Sequence, residues 1–279
     1  MRSGFVTLVG RPNVGKSTLV NAMCGEKVSI VSDKPQTTRH RVMGVRTTAD
    51  WQLVFVDTPG LHKPVTALGA RVNATAIDSL HDVDLVCLVI DATKPFGSGD
   101  QWVAGHVDMG GAVVVLNKID AVRSDRVLAQ LAAASALGAA AYFPVSARTG
   151  AGIDALLAYL AGHLPEGPQY FPADTVRDVP DEQWVAELVR EQLLAVTRDE
   201  LPYSIATRVS EWEWPRVTVE IIVERESQKG MVIGKGGSVL KEVGTLARAQ
   251  MPAGVFLELR VKVDKDWQRR PDRVERLGY

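Results

Sequence analysis

The chain has 279 residues, more than one hydrophobic core comfortably supports, so two domains are expected. Apolar residues make up 46% and charged residues 23%, ordinary proportions for a globular protein. No segment approaches the roughly 20 apolar residues that a spanning helix needs, which excludes a helical integral membrane protein.

The formal net charge of −1 is balanced overall, but residues 203–279 carry +3 and the remainder −4. That asymmetry favours a polyanion partner for the C-terminal part alone. The two cysteines, Cys24 and Cys87, lie in apolar stretches and read as buried free thiols of a reducing compartment. The N-terminus runs straight into a strand pattern with no apolar leader, so a cytoplasmic location is expected.

In chain order, short apolar runs at 5–9, 53–56, 85–90, 112–116 and 142–145 alternate with helical patterns at 16–24, 126–136 and 153–163. This alternation predicts an α/β fold: a mostly parallel sheet with helices on both faces, its strands covered on both sides. The Ala-rich stretch 132–141 reads as strong helix former stopped by Gly138. Residues 164–180 carry Pro165, Pro168, Pro172 and Pro180 and read as a linker. The expected domains are therefore 1–164, a linker 165–181, and 182–279. The second opens with a helical stripe through Trp184, Val185, Leu188, Val189, Leu193 and Val196. Strands near 204–210 and 216–224, a Gly-rich turn at 234–237 between helices, a strand at 255–263 and a basic helix follow.

Gly10-Arg11-Pro12-Asn13-Val14-Gly15-Lys16-Ser17 fits G-x-x-x-x-G-K-S between a strand and a helix. The glycines let main-chain N–H groups wrap phosphate oxygens, and the following helix adds its positive end. Lys16 supplies a cation for the β and γ phosphates, and Ser17 offers a hydroxyl to Mg²⁺. Asp57-Thr58-Pro59-Gly60 follows the run 53–56, placing Asp57 at a strand's carboxyl end, within reach of that metal. Gly60 can turn a main-chain N–H toward the γ-phosphate. The polar stretch 32–41 can fold over a nucleotide and present Thr38 to the metal.

Asn117-Lys118-Ile119-Asp120 follows the run 112–116. Asp120 can accept from guanine N1–H and the exocyclic amine, both of which adenine lacks, so GTP is expected over ATP. The Lys118 stem can lie along the base, and Ser146-Ala147 is placed to offer an N–H to guanine O6. After Gly60 stands Leu61, where Ras-type GTPases hold a water-orienting Gln. Hydrolysis should therefore be slow, on the order of 10⁻⁴–10⁻² s⁻¹, until something else completes the site. Main-chain groups, a monovalent cation, Arg39 or Arg41, or a partner are the candidates, with both arginines read chiefly as a solvated loop. In the second unit, Gly234-Lys235-Gly236-Gly237 contains the G-x-x-G of RNA-binding KH modules, which clamps about four nucleotides. Lys241, Arg248 and the run Arg269, Arg270, Arg273 and Arg276 either extend that track or form a solvated helix face.

Together these stretches resemble the Era family of bacterial GTPases along essentially the whole chain. The matching segments are GRPNVGKS at 10–17, QTTRHR at 36–41, DTPGLH at 57–62, NKID at 117–120, SA at 146–147, HLPEG at 163–167, ELPYS at 200–204 and VIGKGG at 232–237. The resemblance implies a P-loop GTPase domain followed by an α+β type II KH domain. It implies a nucleotide set of Gly10, Asn13, Val14, Gly15, Lys16, Ser17, Thr18, Asp57, Thr58, Gly60, Asn117, Lys118, Asp120, Ser146 and Ala147. Lys16, Thr38 and Gly60 would act in hydrolysis, and Ser17, Thr38 and Asp57 would hold Mg²⁺. Gly234, Lys235, Gly236, Gly237 and Lys241 would bind RNA near the 3′ end of 16S ribosomal RNA during assembly of the small (30S) subunit. A K⁺ ion beside Asn13, a monomeric state and peripheral contact with the inner face of the cell membrane are further implications. The segment 210–215 between the first two KH strands looks abbreviated.

Overall fold

The computed structural model describes residues 1–62, 64 and 66–279. They divide into two compact units, the second comprising residues from Val179 onward with residues 32–37 and the described residues within 64–71.

The first unit contains strands β1 (Arg2–Val9), β2 (Val42–Thr47), β3 (Trp51–Asp57), β4 (Leu85–Asp91), β5 (Val113–Asn117), β6 (Ala141–Pro144) and β7 (Arg177–Asp178). Its helices are α1 (Lys16–Cys24), α2 (Ala67–Asp78), α3 (Ser98–Ala104), α4 (Ser124–Ala134) and α5 (Ile153–His163). The strands form one sheet in the order β6-β5-β4-β1-β3-β2-β7, parallel except where β2 pairs with β3 and β7. Strand β5 shows why the sequence runs are so apolar. Val113 and Val115 enter the core under α1 and α5, whereas Val114 and Leu116 enter the core under α3 and α4. Period-two alternation with both faces buried leaves no place for polar side chains, and each buried Val or Leu contributes roughly 1.5–3 kcal/mol.

The chain leaves β1 toward β3 on one side and reaches β4 on the other. Such a switch point opens a crevice at the carboxyl ends of the strands, where ligands of doubly wound sheets bind. Besides β7, three elements of the first unit, β2, α2 and α3, fall outside the sequence expectation. Strand β2 carries Gly44 and Arg46, and α3 spans only seven residues beginning Ser-Gly-Asp, so neither shows a clean period. The Ala-rich stretch behaves as expected: α4 ends at Ala134 and a 3₁₀ turn reaches Gly138 in the left-handed region at φ 66°.

The proline-rich stretch is corrected in part. Pro165 accepts from Ser3 N at 3.2 Å, and β7 extends the sheet beside β2. Gln52, fully buried on β3, accepts from the N–H groups of Tyr170 and Phe171 at 2.8 and 3.0 Å and donates to the Phe171 carbonyl at 2.9 Å. Proline prevents regular structure but not carbonyl pairing, and the buried amide of Gln52 requires partners. Residues 165–178 thus pack on the first unit instead of forming a free tether.

The second unit runs α6 (Asp181–Val196), α7 (Leu201–Ser204), β8 (Ala206–Glu213), β9 (Arg216–Val223), α8 (Glu226–Ile233), α9 (Ser238–Arg248), β10 (Phe256–Val263) and α10 (Pro271–Arg276). Strand β9 pairs antiparallel with β8 and parallel with β10. Val217, Val219, Ile221 and Val223 of β9 join Val189 and Leu193 of α6, Val232 of α8 and Val243 of α9 in one core, so these three helices cover one face of the sheet. The segment 210–215 is mostly strand, with a bulge between Val209 and Glu211 and only Trp214-Pro215 at the turn. Among the described residues no helix is long and apolar enough to cross a membrane.

Candidate nucleotide cleft and KH loop

Each stretch flagged at the nucleotide motifs ends at the carboxyl edge of the sheet. Gly15 caps α1 in the left-handed region at φ 95°, and a Cβ there would stand 2.4 Å from Asn117 Nδ2. Only glycine lets the loop wind this close. Lys16 is buried, and its ammonium donates to the carbonyls of Gly10 and Arg11 at 3.1 and 3.2 Å, spanning the loop it belongs to. Burial pulls its pKa down to about 8, although Asp57 pushes it back up. A buried cation bonded to main-chain oxygens is poised for an anion.

Beside it, Ser17 Oγ lies 2.8 Å from Thr38 Oγ1, and Thr38 donates to Asp57 Oδ2 at 3.3 Å. Asp57 is fully buried, its Oδ1 has no hydrogen-bond partner, and burial raises its pKa despite bonds from Ser17 and Thr38 and the charge of Lys16. An orphaned carboxylate oxygen beside two hydroxyls is a hard, all-oxygen donor set of the kind that suits Mg²⁺ with its waters. Ser17, Thr38 and Asp57 therefore fit a magnesium ion, although they come from three separate stretches. A Cβ on Gly60 would approach Pro12 Cα and N at 2.7 Å, so the two phosphate-side loops touch through main chain.

Asn117 ties three loops together. Its Nδ2 donates to the Val14 carbonyl at 3.0 Å, and its Oδ1 accepts from Lys118 N at 2.8 Å and Ala147 N at 3.0 Å. Lys118, at φ 67°, donates from Nζ to the Asn13 carbonyl at 2.6 Å and to Asp91 Oδ2 at 2.7 Å. Asp120 accepts from Ser146 Oγ at 2.6 Å and pairs with Arg148 at 3.0 Å. Its two oxygens are thereby oriented at the mouth of the cleft.

Two of the expected nucleotide residues already carry bonds of their own. Thr58 is fully buried and its hydroxyl donates to the Leu8 carbonyl at 2.6 Å, so that side chain braces β1 and does not face the cleft. The N–H of Ala147 is engaged by Asn117, so guanine O6 would have to share it. Thr18 is half-buried in the first turn of α1. Leu61 is 1% exposed and packs in the core under α3, confirming that no polar side chain stands there. Arg39 is 2% exposed, which overturns its reading as a solvated loop residue, whereas Arg41 is exposed. Asp91 was missed. Its signal was available: an acid at the carboxyl end of the run 85–90, the same position that Asp57 occupies on β3. Bonds from Lys118 and Thr93 hold its carboxyl low, more than offsetting the opposing effect of burial.

In the second unit Gly236 and Gly237 adopt φ 61° and 79° with open space around the position of a Cβ, and Gly237 caps α9. Lys235 and Lys241 are exposed. The turn thus presents main chain and two ammonium groups to solvent.

A P-loop nucleotide-binding unit joined to a KH unit is the class these two sites define. Residues 5–118 match the family model described as 50S ribosome-binding GTPase, and residues 200–268 match the KH domain model. The chain is 48% identical to GTPase Era of Mycobacterium tuberculosis over 99% of this chain and 98% of that one. It is also 48% identical to GTPase Era of Mycolicibacterium paratuberculosis, over 100% and 99%. Among solved structures, Era in complex with MgGDPNP and nucleotides 1506–1542 of 16S ribosomal RNA superposes with a TM-score of 0.95 at 38% identity, covering 100% of this chain and 99% of that one. A point variant of Aquifex aeolicus Era bound to GDP and AlF4⁻ gives the same values. The chain belongs to the Era family of GTPases.

Proposed function

We propose that this protein hydrolyses GTP as a switch, binds the 3′ region of 16S ribosomal RNA through its KH unit, and serves assembly of the small subunit in the cytoplasm. The observation that carries the reading is the meeting of Lys16, Ser17, Thr38 and Asp57 in one cleft, with Asn117 fastening the guanine-side loops to it. Main-chain N–H groups of residues 13–18 bind the phosphates, and Lys16 neutralises charge that grows on the β–γ bridge as the bond breaks. Ser17, Thr38 and Asp57 would hold Mg²⁺, which supplies neutralisation of the same oxygens. Gly60 offers its N–H to the γ-phosphate. Asp120 selects guanine by accepting from two donors, and Ser146 and Arg148 keep its oxygens aimed.

With Leu61 buried, a K⁺ ion beside Asn13 is the proposed source of the missing positive charge, and turnover should rise when K⁺ replaces Na⁺. Equal rates in the two salts would reject it. In the KH unit, Gly234, Lys235, Gly236, Gly237 and Lys241 receive the RNA backbone. A monomer is proposed, and peripheral membrane contact rests on the family resemblance alone.

The decisive experiment measures retention of labelled GDP with magnesium, chased by ATP or GTP. Release by GTP only is expected, and release by ATP would sink the assignment. RNA affinity measured with GDP and with a non-hydrolysable GTP analogue then reads which state of the switch engages RNA.

A further inference from the structure

The face of the C-terminal sheet turned away from α8 and α9 is charged. At one end α10 closes over it and leaves a cavity of about 350 Å³. Four cations line it: Arg208 of β8, Lys262 of β10, and Arg273 and Arg276 of α10. Among the described residues two carboxylates line it with them, and Asp272, outside the lining, stands 3.6 Å from Arg273. Glu220 is buried and already holds Arg208 at 2.8 Å together with Lys262, while Asp264 lies 3.5 Å from Arg273. Although burial opposes it, the bonds from Lys262 and Arg208 hold the Glu220 carboxyl below its usual range, so it stays ionised and fixes both cations in place. Arg276 is exposed and makes no ion pair among the described residues. The floor is apolar, formed by Ile222 and Leu277.

We propose that this cavity is a second phosphate site of the KH unit, taking one backbone phosphate and its ribose from the RNA that also enters the Gly234–Gly237 turn. The proposal rests on the RNA reading above and adds a contact on the opposite face of the sheet. One positive charge in excess, that of Arg276, calls for an anion. The planar forks of Arg273 and Arg276 suit phosphate oxygens, and the apolar floor suits a sugar face. The volume lies within the range of pockets that enclose small ligands, roughly 300–1,000 Å³. A concave site of this kind fits one nucleotide of a flexible strand better than the plane of headgroups on a membrane.

The test uses the full chain and fluorescence anisotropy with two single-stranded RNAs carrying the 16S 3′-end sequence. One is a tetranucleotide, the length a G-x-x-G loop clamps, and the other is about five times longer. Arg276→Gln should weaken the longer RNA roughly three- to tenfold and flatten its log-affinity against log-salt slope by about 0.7, the loss of one phosphate contact. Tetranucleotide affinity should not move, and Arg276→Glu should weaken the longer RNA further. An unchanged longer RNA, an equal loss for both RNAs, or a loss confined to phosphatidylserine vesicles would each overturn the site. If the unaltered chain bound neither RNA, the RNA reading itself would fall and this site with it.

Discussion

The cleft at the end of β1 and the turn after α8 face the same problem, an anionic ligand, and solve it in opposite ways. In the cleft, charges are buried before any ligand arrives. Lys16 and Asp57 are out of solvent, and their environments push their pKa values toward neutrality, the lysine down and the aspartate up. Asn117, Lys118 and Asp120 are each locked by neighbours from other loops. The turn has none of this. Gly236 and Gly237 are surrounded by open space, and Lys235 and Lys241 are solvated. A small ligand held by many fixed groups can be selected atom by atom, because a mismatched donor or acceptor is left buried and unpaired. A polymer laid over exposed main chain is held mainly by charge, which is tolerant of sequence and sensitive to salt.

This contrast can be broken by mutation. The largest effect should come from Asp120→Asn, which presents a donor where guanine needs an acceptor. Preference for GTP over xanthosine triphosphate should fall by about 10⁴ in competitive binding. Unchanged selectivity would remove Asp120 as the base reader. Next, Lys16→Ala should slow single-turnover hydrolysis by about 10²–10³ while leaving RNA affinity in the GDP state untouched. A variant that folds, binds nucleotide and hydrolyses at the normal rate would show that the cleft's charge is not used.

Gly236→Asp with Gly237→Asp should reverse the division of labour. A pair of carboxylates set among phosphates should cost about tenfold or more in RNA affinity at moderate salt, with basal GTP turnover unaltered. The space around both positions accepts the side chains, and Asp is among the residues that best tolerate positive φ. Loss of folding, read by circular dichroism, is therefore not expected. The smallest effect separates bracing from binding within the cleft itself. Thr58→Val should cost about 1 kcal/mol of unfolding free energy, the hydrogen bond to Leu8, with GDP affinity unchanged. A large drop in affinity would return Thr58 to the binding set.

The legibility of the two regions differs for the same reason. The Gly234–Gly237 turn is contiguous, so its conformation and exposure follow from local glycine chemistry and flanking helical patterns. The phosphate loop and the guanine tetrad were also readable, because each is a local string with a fixed spacing after an apolar run. The bonds between them were not. Asp91 looks like any strand-ending acid until β4 and β5 pair side by side and bring Lys118 onto it. Thr58 sits next to Asp57 in a motif associated with nucleotide, yet its hydroxyl points back at β1 because β1 and β3 run parallel in register. Arg39, in a polar string, is buried.

Residue order alone pointed to the chemistry proposed for this chain: glycines to wrap phosphate, a lysine, oxygens for a metal, a carboxylate for guanine and a turn for RNA. Those depend on side-chain identity at short spacing, within the reach of local sterics. Only the tertiary structure decided which candidates face the cleft and which brace it, how far each charge is desolvated, and that residues 165–178 pack on a sheet. It also gathered Arg208, Lys262, Arg273 and Arg276 from two strands and one helix into one cavity. Desolvation and hydrogen-bond pairing are set by neighbours distant in the chain, and pairing across strands creates those neighbours only when the sheet forms.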